Sequence, residues 1–411
     1  MNKDIVIIGS GIAGLKSAIQ ASLKSSNVLL IESENTLGGN LRYGSDDEIL
    51  KIEGEKFSPK SFIEKCEKEL HQNHVEIWKN SFVSNIKKDD NYNIEVVSKE
   101  GIKIVTAKTI IISTGAIDKS FNQAFIAGTH PAGIFSLSTV NHYLYLLSSI
   151  PCQNCVVFGS NERALRLIKK LLDLGVEISA VVEKKTEPWS NTSLIKEVLD
   201  NHKIPLYLSH TISKAYGVDR LEAVQISKLS SEGERIRGSE KEIKCDTLIL
   251  AYDLSPATDL LTKLDCSMSL WTKGAKVDQT FMTSSDGVYS IGNSLQIYSN
   301  LDYLVSDSKY ATINALKYRY DEKELIDINF DENFSYITPE LIDLNKDLSN
   351  IMVYFKPSKT LKDKTLIVTL NGKEISNKKY EILYPYVMEK ISINIQEMGV
   401  DKDSKILFKL V

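Results

Sequence analysis

Short, wholly apolar runs open two separate stretches of this chain, and each is followed by a turn and an amphipathic segment. IVII (5–8) leads through a glycine turn into LKSAIQASLK, whose apolar residues recur at helical spacing, and then into NVLLIE. CVVF (155–158) leads in the same way into NERALRLIKKLLDLG and then VEISAVV. FSPKSFIEKCEKELHQNHVEIWKN reads as an amphipathic helix running into a strand. FVSNIKKDDNYNIEVVSKEGIKIVTAKTIIIST reads as alternating strands joined by a charged, Asn-rich hairpin. Beyond about residue 330 the period changes to two. IMVYFK, KTLIVTL, EILYPYV, EKISINI and KILFKLV are short alternating runs separated by charged or Asn-Gly turns, which predicts a small β sandwich or barrel.

Strands alternating with helices predict parallel α/β sheets. The pattern therefore reads as α/β, with two Rossmann-like dinucleotide-binding domains, the second inserted in the first, plus a small C-terminal β-rich domain. The boundaries read as 1–130 and 271–330 for the two parts of the first domain, 131–270 for the second and 331–411 for the tail.

In IVIIGSGIAGL, Gly9, Gly11 and Gly14 fill the positions of a G-x-G-x-x-G turn. Gly9 serves the tight turn, Gly11 the approach of backbone to a pyrophosphate, and Gly14 the packing of helix on sheet. Ser10, Ile12 and Ala13 complete the turn, and the helix N-terminus favours a phosphate. Glu32, followed by Ser33, ends the next strand, where a carboxylate reaches ribose hydroxyls. Three further pieces point to FAD here. The paired Gly38 and Gly39, with Asn40, let a loop run against a large cofactor. IIISTGA (110–116), with Thr114 and Gly115, resembles the strand by which the chain leaves the flavin domain in FAD-dependent enzymes of the two-dinucleotide-domain class. GVYSIGNSL (287–295), with Gly292 and Asn293 and helix-like KYATINALKY after it, resembles the segment by which such enzymes return to that domain.

The second turn is altered. Gly159 and Ser160 are followed by Asn161, where a central glycine would stand, then Glu162, and Ala164 replaces the last glycine. Asn tolerates a left-handed backbone, which would let the turn survive, but its side chain crowds a pyrophosphate. Glu183 sits where a ribose ligand belongs. NAD(P)H binding at this second site is left open; Lys184 and Lys185 read as a solvated charged turn, with a phosphate-holding pair as the alternative.

Other chemistry-bearing residues are sparse. Cys152 and Cys155 form C-x-x-C, but the pair runs straight into a strand and reads as packing. His71 and His74 are placed on one helix face in a surface or capping role. Trp78, Trp189 and Trp271 read as core or interface residues. His130 and His142 flank the passage between domains, and His130 is the weak candidate for a base near a flavin. The tail holds neither Cys nor His, and no metal is expected.

Composition adds exclusions. With 42% hydrophobic and 25% charged residues and a formal charge of -4, the chain offers no nucleic-acid surface. No apolar run approaches a span of about 20 residues. Five cysteines do not make a disulfide scaffold, and MNKD runs directly into the first strand with no room for a signal segment, so a cytoplasmic placement is expected.

IVIIGSGIAGL, IIISTGA, AGTHPAGIFSLST, IPLYLSHTISKAYGVDRLEAV, CDTLILAYDLSPATDLL and GVYSIGNSLQIYSNLDYLVSDS together resemble the FAD-dependent pyridine nucleotide-disulfide oxidoreductase-like proteins found beside bacterial glycerol-3-phosphate dehydrogenases. The resemblance implies FAD in the first domain, a second domain of NAD(P)H-binding type, and work within a multi-protein dehydrogenase system. Departures gather at Asn161, at His130 before Pro-Ala-Gly where the group has Arg, and at Tyr252 and Asp253 where a glycine commonly follows the strand. NLRYGSD also lacks the group's cysteine and histidine. The leading expectation is an FAD-dependent oxidoreductase relaying electrons between a nicotinamide or partner dehydrogenase and another carrier. Its alternatives are a non-catalytic FAD-binding subunit of a dehydrogenase complex and a dehydrogenase or oxidase of a small amine or hydroxy acid. Partners would be a dehydrogenase subunit, an electron-carrier protein or a second copy of the chain.

Overall fold

The computed structural model describes residues 1–44, 48–320 and 322–411. It divides into two compact units, Met1–Ala116 with Pro256–Val411, and Ile117–Ser255. The α/β architecture expected from the pattern is present, with a β-rich C-terminal region belonging to the first unit.

In the first unit, strand Asn2–Ile8 pairs in parallel with Val28–Ile31 on one side and with Gly101–Ile112 on the other. Glu76–Trp78 extends the sheet beyond Val28–Ile31, and Val288–Ser290 returns from late in the chain to pair with Gly101–Ile112. Ile5, Val6 and Ile7 are fully buried because helices and strands cover both faces of this parallel sheet, which explains the unbroken apolar run. Gly101–Ile112 plays two parts: its first half closes an antiparallel meander with Phe82–Lys88 and Tyr92–Ser98, and its second half joins the parallel sheet. Helices Ile12–Ser22 and Leu301–Lys317 contribute Leu15, Ala18, Val305 and Ala311 to the same core.

The second unit has an all-parallel sheet of five strands in the order Ile134–Ser136, Thr247–Leu250, Asn154–Phe158, Glu177–Val182, Leu206–Tyr207. Alternate residues of Asn154–Phe158 face different layers. Cys155 and Val157 meet helix Glu162–Asp173, while Val156 and Phe158 meet an antiparallel sheet built from His210–Gly217, Leu221–Lys228 and Lys241–Lys244. The crossings at 116/117 and 255/256 fall earlier than the sequence boundaries of 130/131 and 270/271. Ala124 and Ile126 pack into the second unit's core, and Leu260, Leu261 and Cys266 into the first unit's, so burial moves both crossings.

Two sheets, one of Leu325–Phe330, Leu341–Asp343, Leu361–Leu370, Lys373–Leu383 and Ile406–Leu410, the other of Phe334–Thr338, Ile351–Pro357 and Glu389–Ile393, face each other across their own core. This sandwich starts slightly before residue 330, and EILYPYV is only partly strand because the ladder stops at Leu383. It is not a free appendage. Tyr336, Tyr354 and Met388 belong to the core of the first sheet. The Gln279 side chain makes a pair of 2.8 Å hydrogen bonds with the Asp343 backbone, and Met388 N–H donates to Ser299 Oγ at 2.7 Å.

At this junction the buried Asp307 carboxylate accepts from Tyr298 Oη at 2.7 Å and from Tyr354 Oη, while Lys390 lies over the Tyr303 and Tyr354 rings. Burial pushes Asp307 up to about 7, outweighing the two tyrosine donors and the nearby Lys390. In the unfolded chain an aspartate titrates near ~3.9. Between those values the folded protein keeps a proton that the unfolded chain has lost, so the contribution is present in acid, declines as pH rises to about 7 and is flat above. Denaturant titrations from pH 5 to 8 should therefore show a smaller decline for Asp307→Asn than for the parent. Tyr354→Phe should cost about 1–3 kcal/mol by stripping a donor from the carboxyl. An unchanged slope in Asp307→Asn would refute this account.

Candidate functional site

The first glycine turn lies at the carboxyl ends of Asn2–Ile8 and Gly101–Ile112, adjacent parallel strands whose onward connections diverge, the place where open α/β sheets form a ligand crevice. Steric limits explain its glycines one by one. Gly9 has φ +96°, and a Cβ there would lie 2.5 Å from Ser113 O. A Cβ on Gly14 would lie 1.8 Å from Gly9 O. Gly11 differs from both: its φ is -62°, open to any residue, and a Cβ would meet nothing within 4 Å. Its glycine leaves clear the space ahead of helix Ile12–Ser22, and no side chain caps that helix. Ile12 and Ala13 form the first turn.

Glu32 is buried and accepts four hydrogen bonds. Ser10 N–H and Ser10 Oγ donate to Oε2 at 2.8 and 2.6 Å, and Glu34 N–H and Ser33 Oγ donate to Oε1 at 2.9 and 3.1 Å. Two of the four donors are hydroxyls that can rotate away. A ribose diol can take their place while the two backbone donors keep the carboxylate aimed. Ser10 and Ser33 both hold Glu32.

The Gly38 and Gly39 pair is needed for a reason the sequence reading missed. A Cβ on Gly38 would meet Ile63 Cδ1 at 2.4 Å, and one on Gly39 would come within 3.0 Å of Gly11 Cα. The loop presses on the glycine turn itself, with Gly38 N–H donating to Ser10 O at 3.0 Å and Asn40 exposed beside it. Ser45 and Asp46, at the end of NLRYGSD, lie outside the described residues. Thr114 Oγ1 donates to Ala257 O at 2.9 Å, and Ala257 N–H donates to Gly115 O at 3.0 Å, tying the two passages of chain together. Gly292 has φ +69°, and its Cβ would stand 2.9 Å from Ala13 Cβ, so the returning strand ends against the first helix. Asn293 Oδ1 accepts from Tyr298 N–H at 3.1 Å and so shapes the following loop. Ser113, which the motif reading passed over, donates from Oγ to Ile8 O and Gly9 O, both at 2.9 Å. Its position directly after III was the available signal.

The second turn repeats the clasp. Ser160 N–H and Oγ donate to Glu183 Oε2 at 2.9 and 2.7 Å, Lys185 N–H donates to Oε1 at 3.1 Å, and Trp189 N–H donates to Ser160 Oγ at 2.9 Å. Gly159 has φ +120° and abuts Ala251 O. Asn161 does not use the left-handed backbone allowed for it. Its φ is -71° with extended ψ, and its side chain caps helix Glu162–Asp173 by accepting from Ala164 N–H at 3.0 Å. Tyr252 stacks on Phe158 with centroids 5.0 Å apart, and Lys184 covers both rings. Burial pushes the Lys184 ammonium below the ordinary lysine value, with Lys119 and Arg235 adding repulsion.

The remaining candidates are not gathered at either turn. His130 is exposed in the second unit with its ring 4.5 Å from that of Phe121. His74 lies past the end of helix Pro59–Gln72 with φ +54°, so it does not share a helix face with His71. Cys152 and Cys155 are buried free thiols. Trp271 is 54% exposed, edge-on to Phe330. Among the described residues, no group of three or more His, Cys, Asp or Glu is placed to hold a metal, and no helix is long and apolar enough to cross a membrane.

Residues 3–306 match the family described as pyridine nucleotide-disulphide oxidoreductase. The chain belongs to that family. It is an FAD-dependent oxidoreductase that transfers electrons. Among curated proteins it is similar to a ferredoxin–NADP reductase of Ligilactobacillus salivarius, 24% identical over 333 residues, 78% of this chain and 92% of the relative. A ferredoxin–NADP reductase 1 of Listeria monocytogenes is 22% identical over 296 residues, 71% of this chain and 84% of the relative. Among solved structures, the thioredoxin reductase of Lactococcus lactis matches with TM-score 0.61 at 18% identity, over 77% of this chain and 98% of that one. The L-proline dehydrogenase of P. horikoshii matches with TM-score 0.58 at 19% identity; 77% of this chain spans 55% of that one. The family match stops before the sandwich.

The first turn fits the diphosphate of FAD: an uncapped helix end, clear space ahead of Gly11 and a carboxylate positioned for the sugar. The two kinds of glycine should separate on substitution. Gly11→Val should change stability without cofactor by less than about 1 kcal/mol yet weaken FAD binding more than about tenfold. Gly14→Ala should destabilise by about 3 kcal/mol or more. Thermal melts of the FAD-stripped variants and equilibrium dialysis against FAD read these outcomes, and equal melting losses for both would contradict the assignment.

Proposed function

We propose that the protein relays electrons between a nicotinamide or partner dehydrogenase and a second carrier, using FAD held at the first turn by Gly9–Gly14, Glu32, Gly115 and Gly292–Asn293. When bound, FAD supplies an isoalloxazine that takes up a hydride or electrons and returns them singly or in pairs. The observation that carries the reading is the bare N-terminus of helix Ile12–Ser22 beside a pre-aimed Glu32. The residues at the site position and exclude; none of them is arranged as an acid–base pair, and electron transfer to flavin does not require one. The reductase relatives, named for ferredoxin and NADP, support a small redox protein as one of the two carriers.

Narrower placements belong to the same proposal. Association with a glycerol-3-phosphate dehydrogenase system is supported by the resemblance of the motif runs, and a docking role for the sandwich by its position outside the family match. Cytoplasmic location is supported by the cysteine usage. Direct oxidation of a small amine or hydroxy acid rests on His130 alone, which is exposed and packs on Phe121.

The purified protein should be yellow, release FAD on denaturation, bleach anaerobically with a chemical reductant and regain its colour on addition of an oxidised ferredoxin-type carrier. Bleaching by NADH or NADPH at a catalytic rate would identify nicotinamide as donor. A folded sample that takes up no FAD, or a reduced flavin that no carrier reoxidises, would defeat the proposal.

A further inference from the structure

The two glycine turns share one clasp and differ in front of it. In both, a serine N–H and hydroxyl hold a buried glutamate, so the sugar-facing half of the second site is built to the same plan as the first. The phosphate-facing half is not. At the first turn Gly11 leaves open space ahead of an uncapped helix. At the second, Asn161 puts its side chain into the corresponding space and uses it in two directions. Oδ1 accepts from Ala164 N–H, one of the helix-end donors that a pyrophosphate would need. Nδ2 donates to Ala251 O, at the end of the neighbouring strand Thr247–Leu250, so the amide spans the crevice between the two strands.

Charge opposes a phosphate at the same point. The first turn of helix Ile12–Ser22 carries no acid, whereas helix Glu162–Asp173 begins with Glu162. Arg166 pairs with that carboxylate at 2.6 Å. Arg163 is turned to the buried Asp118 at 3.1 Å and to Ser138. Above the strand ends Tyr252 lies on Phe158 under Lys184, so side chains cover the surface there.

We propose that the second crevice is capped by its own chain, with Asn161 as the residue that excludes a pyridine dinucleotide. The helix end that would hold the diphosphate is satisfied internally, and the amide bridges the opening. Electrons then enter the flavin from a donor that docks elsewhere, which narrows the relay reading to a partner protein or small reductant and does not depend on which carrier accepts them.

The test is binding, read separately from flavin chemistry. The FAD-loaded full-length protein is titrated with NADH and with NADPH by isothermal calorimetry, and its melting temperature is followed at millimolar nucleotide. The parent should show no saturable heat and no shift. Asn161→Gly, which empties the space and frees Ala164 N–H, should gain affinity by at least about tenfold. Asn161→Ser, which keeps a capping oxygen but loses the bridge to Ala251, should remain close to the parent. Saturable sub-millimolar binding by the parent overturns the proposal, whether or not the glycine variant folds. So does an Asn161→Gly protein with parental circular dichroism and flavin content that gains nothing. A sample without FAD would sink the relay reading while leaving these binding outcomes readable.

Discussion

Gly9 O occupies the volume that a side chain on residue 14 would require, at 1.8 Å from the missing Cβ. That close approach lets helix Ile12–Ser22 leave the strand at once, with its N-terminus over the strand ends. The other parts of the site are fixed relative to it. Ser113 Oγ bonds the Ile8 and Gly9 carbonyls, Gly39 rests on Gly11, and Gly292 rests on Ala13. Three segments distant in sequence thus converge on one turn, and the helix dipole and the Glu32 carboxylate are aimed as a consequence of sterics among backbones.

Much of this was legible in the amino-acid order because the determinants are local. Buried parallel strands must be continuously apolar, and IVII and CVVF are. A strand-to-helix turn this tight demands glycine, and Gly9, Gly14 and Gly159 stand where it does. What escaped the sequence reading depends on neighbours brought in by folding. Nothing in the letters GG at 38–39 says that the loop packs on Gly11. The hold of Ser10 on Glu32 was not legible, because its partner lies 22 residues away at the end of the next strand. His71 and His74 looked like neighbours until the helix ended at Gln72. Asn161 was visible as an anomaly, but its two hydrogen bonds involve Ala164 and Ala251, and only the second sheet's register puts Ala251 beside it.

The two turns illustrate how binding and architecture separate. The serine–glutamate clasp is present at both turns and ties the end of one strand to the end of its neighbour, a structural duty independent of what lies in front. The residue facing the ligand carries no such duty. Replacing glycine by asparagine there supplies a helix cap, a contribution of about 1 kcal/mol in typical cases, and takes the donor from any incoming anion. Fold and family are consequently plain from the chain while the ligand of the second unit turns on one side chain.

The discontinuity of the first unit has a consequence during synthesis. Residues 117–255 form a contiguous unit, while the sheet begun by Asn2–Ile8 awaits Val288–Ser290 and Leu301–Lys317, and its core is finished only by Tyr354 and Met388. A nascent chain emerging from the ribosome therefore completes its middle before its beginning, and the earliest strands wait with exposed apolar faces for the last fifth of the polypeptide. That interval, set by the order of segments along the chain, is when the protein is most open to chaperones and to aggregation.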